Sequence, residues 1–159
     1  MITATSAAGK TAQYKLTVKT PSVKLNASAK TLYVKGSPAT VTLKATTAGV
    51  TGKVTYTSSK PSVAAVAANG KVTAKAAGTA VITAKCGNYK ATCKITVKKP
   101  AVKASASAKT VFVGGTSQIK VEKTGVSGKV TYTSSNKSVA VVSAGGKVTA
   151  KKQEQLQLQ

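Results

Sequence analysis

The chain has no histidine, aspartate, arginine or tryptophan, and its only acids are Glu122 and Glu154. These absences exclude most chemistry. A Ser-His-Asp triad cannot be built, and neither can an imidazole metal site. An oxygen cage for calcium needs several carboxylates, and none can be assembled here. A lone lysine or serine nucleophile would have no neighbour to activate it. The expectation is a protein that is not an enzyme and uses no cofactor or metal. Aromatic residues are few as well, five Tyr and one Phe. No apolar run approaches the ~20 residues that a transmembrane helix needs. The opening Met1-Ile-Thr-Ala-Thr has neither the charged start nor the apolar stretch of a signal peptide. Because it lies inside a repeat, a leader is expected to belong to a longer parent protein.

Lysine is what the chain has in excess: 25 of them, for a net charge of +23. Such a field attracts nucleic acid, anionic glycans, wall polymers of the teichoic-acid kind and acidic membranes. The same lysines alternate with apolar residues, as on a solvated strand face, and lysine also guards sheet edges. Specific phosphate or base recognition favours the planar fork of arginine, which is absent. The expectation is diffuse polyanion affinity, for example to cell-wall or host glycans, without sequence-specific nucleic-acid binding.

The organisation is a long internal repeat. Val54-Thr-Tyr-Thr-Ser-Ser59 returns as Val130-Thr-Tyr-Thr-Ser-Ser135, and Gly70-Lys-Val-Thr-Ala-Lys75 as Gly146-Lys-Val-Thr-Ala-Lys151. Ile82-Thr-Ala and Lys94-Ile-Thr-Val-Lys98 match Ile2-Thr-Ala and Lys15-Leu-Thr-Val-Lys19. Offsets of 76 to 80 residues make the unit a small domain rather than a solenoid turn. One copy, residues 22–100, reads as whole. Residues 1–21 read as the last two strands of a preceding copy. Residues 101–151 read as a copy lacking those strands, and residues 152–159 as an atypical tail, either a makeshift strand or a scar.

Within the whole copy, apolar residues alternate with Thr, Lys and Ser at period 2, which predicts half-buried antiparallel strands. Val23 and Leu25, Leu32 and Val34, then Val41, Leu43 and Ala45 mark three of them. Val54 and Tyr56 follow, then Val63 and Val66 after a turn at Lys60-Pro61-Ser62. Asn69-Gly70 suits a type I′ turn into Val72 and Ala74. Ala80, Ile82, Ala84 and Cys86 share one face, and Cys93, Ile95 and Val97 the facing one. About seven short strands in ~80 residues predict a small β-sandwich.

The series from Val54-Thr-Tyr-Thr-Ser-Ser through Val63-Ala64, Asn69-Gly70-Lys71-Val72-Thr73-Ala74 and Ala77-Gly78-Thr79-Ala80-Val81-Ile82-Thr83 resembles the bacterial Ig-like domain, group 2. The resemblance covers nearly the whole chain apart from the tail. It implies an all-β chain of tandem small Ig-like sandwiches, one complete and the terminal ones truncated. It also implies an extracellular, cell-surface or wall-associated setting and a stalk or adhesive role, as in adhesins of the intimin and invasin type. The fold hosts many functions, so the resemblance names no ligand.

Cys86 and Cys93 fall on one predicted face of a hairpin, and a disulfide between them would suit an oxidising compartment. Two buried free thiols or a redox pair are the alternatives. Two cysteines alone fall short of a metal site.

The fit between the fragments carries a further expectation. Ile2, Ala4, Leu16 and Val18 occupy the apolar positions of the strands missing from residues 101–151. The first 20 residues of one molecule are therefore candidate donor strands for another, giving a head-to-tail ring or filament. The rival reading is an arbitrary fragment with frayed ends. A third reading, an isopeptide cross-link through Glu122, would require that side chain to face inward, whereas the alternation places it towards solvent.

Overall fold

The computed structural model describes residues 1–153, and the remainder of the tail, including Glu154, lies outside the described residues. β1 (Ile2–Thr5) and β2 (Thr11–Tyr14) form a hairpin whose residues are all exposed. Nine strands follow: β3 (Ser22–Leu25), β4 (Ala29–Tyr33), β5 (Thr40–Thr42), β6 (Ala45–Ala48), β7 (Thr55–Ser58), β8 (Ala64–Val66), β9 (Lys71–Ala74), β10 (Gly78–Cys86) and β11 (Tyr89–Lys98). The last group is β12 (Ala101–Ala106), β13 (Thr116–Thr124), β14 (Ala140–Val142) and β15 (Lys147–Ala150). The described residues contain no helix, as the period-2 alternation implies.

Strands β3–β11 enclose a main core and a smaller cluster of Val23, Ala84 and Cys86. One layer is the four-stranded sheet β4-β11-β10-β7, and the other consists of the ribbon β3-β6 and the sheet β5-β9-β8. Ile82 and Ala80 on β10 and Cys93, Ile95 and Val97 on β11 point inward with Leu32. They meet Leu43, Ala64 and Val72 from the facing layer. Each large aliphatic side chain fully removed from water here contributes about 1.5–3 kcal/mol. Strand β11 is the centrepiece. It pairs antiparallel with β10 and parallel with β4, with Val97 opposite Leu32.

The expected run Val41-Leu43-Ala45 is two strands in different sheets, and the domain has nine strands in all. The cause is Asn26. Its backbone N–H donates to the Lys44 carbonyl, but the Lys44 N–H donates to the Asn26 carboxamide oxygen at 3.0 Å instead of continuing the ladder. Asparagine side chains compete with the backbone in this way. The corresponding residue of the next repeat is Ser105, which pairs with Lys120 in register, and β13 runs through unbroken.

The turn at Asn69-Gly70 also differs from expectation. Gly70 N–H donates to the Ala67 carbonyl at 2.9 Å, so Ala68 and Asn69 are the central residues, and only Gly70 has positive φ (+79°). This is a three-residue connection ending in a left-handed glycine, not a type I′ pair. Glycine is required there twice over. A Cβ on Gly70 would collide with the Leu43 carbonyl and lie 3.0 Å from Cζ of Tyr56. The Tyr56 hydroxyl in turn accepts the Ala45 N–H at 3.1 Å, tying β6 to β7. Gly146 and Tyr132 repeat the arrangement in the next unit. Gly70→Ala is expected to cost the β3–β11 domain about 2–3 kcal/mol in urea unfolding, combining left-handed strain with displacement of the carbonyl. A loss under about 0.5 kcal/mol would show that the turn relaxes freely.

Candidate functional site

The feature that stands apart from a closed sandwich is the face left open by β12–β15. In the β3–β11 domain the hairpin β10–β11 lies between β7 and β4. The repeat offsets place the counterparts of those flanking strands at residues 131–134 and 108–112. Neither segment forms a strand, and β12–β15 has no equivalent of β10–β11 among the described residues. Elsewhere the unit copies its predecessor closely. Ser134 Oγ donates to the Ala140 carbonyl at 2.7 Å, as Ser58 Oγ does to Ala64 at 2.6 Å. Buried Ser117 holds the start of the unpaired 108–112 segment, donating to the Ala108 carbonyl at 2.7 Å.

Two grooves mark the gap. One of about 630 Å³ is lined by Val111, Phe112, Val113, Val139 and Ala150, among others. Another of about 320 Å³ is lined by Tyr132, Val141 and Val142 with neighbouring polar residues. Phe112 is 93 % exposed, whereas its counterpart in the closed domain, Tyr33 at the end of β4, is half-buried. Unpaired strand backbone beside apolar side chains is a template for an added strand.

The hairpin β1–β2 has the complementary character. Ile2 faces Tyr14 and Ala4 faces Ala12, the register in which Ile82 faces Cys93 and Ala84 faces Ala91. The candidate donor residues are all exposed: Ile2 at 57 %, Leu16 at 56 %, Val18 at 87 %, and Ala4 likewise. Their counterparts Ile82, Ala84, Ile95 and Val97 are core residues. Leu16 and Val18 lie beyond the end of β2, since the residues that would pair with them precede Ile82 in the complete hairpin. None of these donor residues is buried against the open face.

All 25 lysines are exposed. Several line up on the outer face of the long hairpin, where Lys85 stands opposite Lys90, with Lys94 and Lys98 farther along β11. Glu122 is exposed on β13 opposite Lys103, pointing away from the interior as the alternation requires. No cluster of three metal-ligating side chains occurs among the described residues.

A family model described as bacterial Ig-like domain matches residues 52–99, and one described as bacterial Ig-like domain (group 2) matches residues 96–157. The chain is built of bacterial Ig-like domains. Among solved structures it is similar to the surface layer protein SbsC, domains 1–6, with a TM-score of 0.54 and 23 % identity over 85 % of this chain. The match spans 25 % of that longer chain. It is also similar to domains 4 and 5 of the same S-layer protein, with a TM-score of 0.53 and 24 % identity, covering 86 % of this chain and 88 % of that one. Intimin of EHEC O157:H7 follows at a TM-score of 0.39 and 21 % identity, over 55 % of this chain and 51 % of that one. Among curated proteins, none matches. The S-layer likenesses support the sandwich fold.

The expected disulfide is not formed in the Ig-like domain. Cys86 and Cys93 are both buried free thiols. The two do share the inward face, but Gly87-Asn88 makes a two-residue turn, so Cys86 stands opposite Tyr89 and Cys93 opposite Ile82. Four residues of offset along the hairpin is about 13 Å, well beyond the ~7 Å Cα separation that a bridge tolerates. A Gly-Asn pair between two alternating runs is the sequence signal that fixes this register. Cys86 Sγ donates to the Gly52 carbonyl at 3.4 Å, and Cys93 packs in the main core. Burial pushes the Cys93 thiol above its ordinary range, only partly opposed by Lys30, so it is a poor nucleophile. Both thiols are expected to resist iodoacetamide in the folded protein. Both should react in denaturant without reductant, adding two adducts to the intact mass. An unreactive pair with a mass lower by two hydrogens would establish a bridge instead.

Proposed function

We propose that the chain is a non-catalytic structural module of a bacterial surface protein, working outside the cell or in its wall, and that copies join head to tail by exchanging strands. Residues 1–20 of one molecule supply the missing hairpin to residues 101–151 of another. The observation that carries this reading is the pairing of vacancies. The two segments that form no strand, 108–112 and 131–134, are the two whose counterparts flank β10–β11, and the free hairpin β1–β2 already holds that hairpin's register. Closure within one molecule would fold the hairpin back along the whole β3–β11 domain, and Pro21 enters β3 directly. Exchange between molecules is heterologous, so it propagates into a filament or closes as a ring. The likeness to a surface layer protein supports the surface setting.

A second reading is favoured by the 25 exposed lysines: binding of anionic glycans or wall polymers by diffuse charge. Without arginine or a shaped cluster, such binding would track ionic strength.

Light scattering after size exclusion should show oligomers that grow with protein concentration. Deletion of residues 1–20, or Ile2→Lys combined with Leu16→Lys, should leave a monomer whose β3–β11 domain melts unchanged. A monomer of 15.9 kDa at every concentration would sink strand exchange. For the second reading, retention on an immobilised sulfated glycan should fall at least tenfold between about 50 and about 200 mM salt. Salt-resistant retention would point to a shaped site.

A further inference from the structure

Two successive Ig-like units of this chain meet at a defined joint. Tyr33 ends β4, and the chain then turns back so that Ser37 N–H donates to the Gly125 carbonyl at 2.9 Å. Gly125, at φ +65°, lies flat beneath Tyr33, and a Cβ on it would fall within the aromatic ring. Gly36 is equally confined. Its Cβ would lie 2.6 Å from Cγ of Pro100 and would strike the Gly125 carbonyl. An aromatic ring, a left-handed glycine and a linker proline therefore define how one unit sits on the next.

The sequence carries this joint a second time, divided between its two ends. Ala27-Ser-Ala-Lys-Thr-Leu-Tyr33-Val returns as Ala106-Ser-Ala-Lys-Thr-Val-Phe112-Val, and Gly36 as Gly115. Gly49-Val-Thr-Gly-Lys-Val is the counterpart of Gly125-Val-Ser-Gly-Lys-Val, and Thr20-Pro21-Ser22-Val23 of Lys99-Pro100-Ala101-Val102. Both halves are unoccupied. Tyr33 is half-buried, whereas Phe112 is 93 % exposed. Gly125 is half-buried, whereas Gly49, at φ +62°, is exposed, and a Cβ built on it would meet Pro21 first, at an ordinary contact distance of 3.6 Å.

We infer that Phe112 of one copy seats on Gly49 of a second copy, beside Pro21 of that copy, rebuilding the Tyr33–Gly125 joint between molecules. This rests on the strand-exchange reading. Once the donor hairpin takes the place of β10–β11, its own Pro21 and β3 follow it as Pro100 and β12 follow β11. The second copy's Gly49 then stands where Gly125 stands. The joint makes the contact a fixed hinge rather than a tether, because a ring packed on bare backbone allows no side chain to slide between them. Tyrosine fills the same place in the internal joint, so the position selects an aromatic ring rather than phenylalanine as such.

The test uses the full chain. A Phe112→Cys/Gly49→Cys variant is oxidised mildly, and the products are resolved without reductant and mapped by mass spectrometry. Intermolecular linkage between positions 112 and 49 is expected, absent from each single variant. In parallel, Phe112→Ala should raise the dissociation concentration of wild-type-like oligomers about 10- to 100-fold, Phe112→Tyr should leave it within about twofold, and neither should move the melting of the β3–β11 domain. Oligomers that form without the 49–112 linkage and ignore Phe112→Ala would overturn the joint while leaving strand exchange intact. A wild-type chain that stays monomeric would overturn both.

Discussion

Strand β11 is the interaction on which the rest depends. It gives hydrogen bonds to β10 on one side and to β4 on the other, and its Cys93, Ile95 and Val97 fill the middle of the core. Where β10–β11 is present, the flanking segments β4 and β7 are strands; where no counterpart exists among the described residues, the same sequences form none. Thr131–Ser134 is identical in sequence to Thr55–Ser58, so local propensity is equal in the two. What differs is a partner for the backbone N–H and C=O groups, which dominates over intrinsic preference in sheets. The fold is a single cooperative arrangement around one hairpin.

Charge works against that cohesion. A net +23 on a chain with one acid among its described residues gives a repulsive field within each molecule and between copies. At physiological ionic strength the field is screened over about 8 Å, so contacts made by apolar side chains and backbone at close range can still hold. Exposed lysines standing opposite one another, such as Lys85 and Lys90, keep the outer face of the long hairpin solvated and repel a second sheet from stacking on it. The proposed strand exchange would use the open groove instead, which is lined by Val111, Val113, Val139 and Ala150 among others.

Much of this was legible in the sequence, and the failures have physical causes. Period-2 alternation located the long hairpin and its inward faces, because both strands are half-buried and regular. The repeat and its offsets pointed to an open sheet edge on residues 101–151 and to Ile2, Ala4, Leu16 and Val18, which are exposed here and whose donor role is a proposal. The disulfide expectation took the facing side correctly but misjudged register, which two residues, Gly87 and Asn88, decide. The break between β5 and β6 depends on a hydrogen bond from Lys44 to Asn26, 18 residues away, and no local pattern contains it. The joint at Tyr33 and Gly125 was visible only as recurring letters, Tyr33 with Phe112 and Gly49 with Gly125. Their meaning required knowing that one unit's aromatic ring lies over the next unit's backbone.

The parallel pairing of β11 with β4 has a mechanical consequence. A pull transmitted along a row of such units enters this domain at Ser22 and leaves at Lys98. Tension on Lys98 draws β11 along its own axis past β4, loading the register pairs from Lys94–Ala29 to Lys98–Tyr33 in shear. Bonds in shear share the force, whereas a hairpin peeled from its open end gives them up one at a time. The geometry that closes the core also makes the domain a tensile member, suited to a chain that is held at one end and tugged at the other.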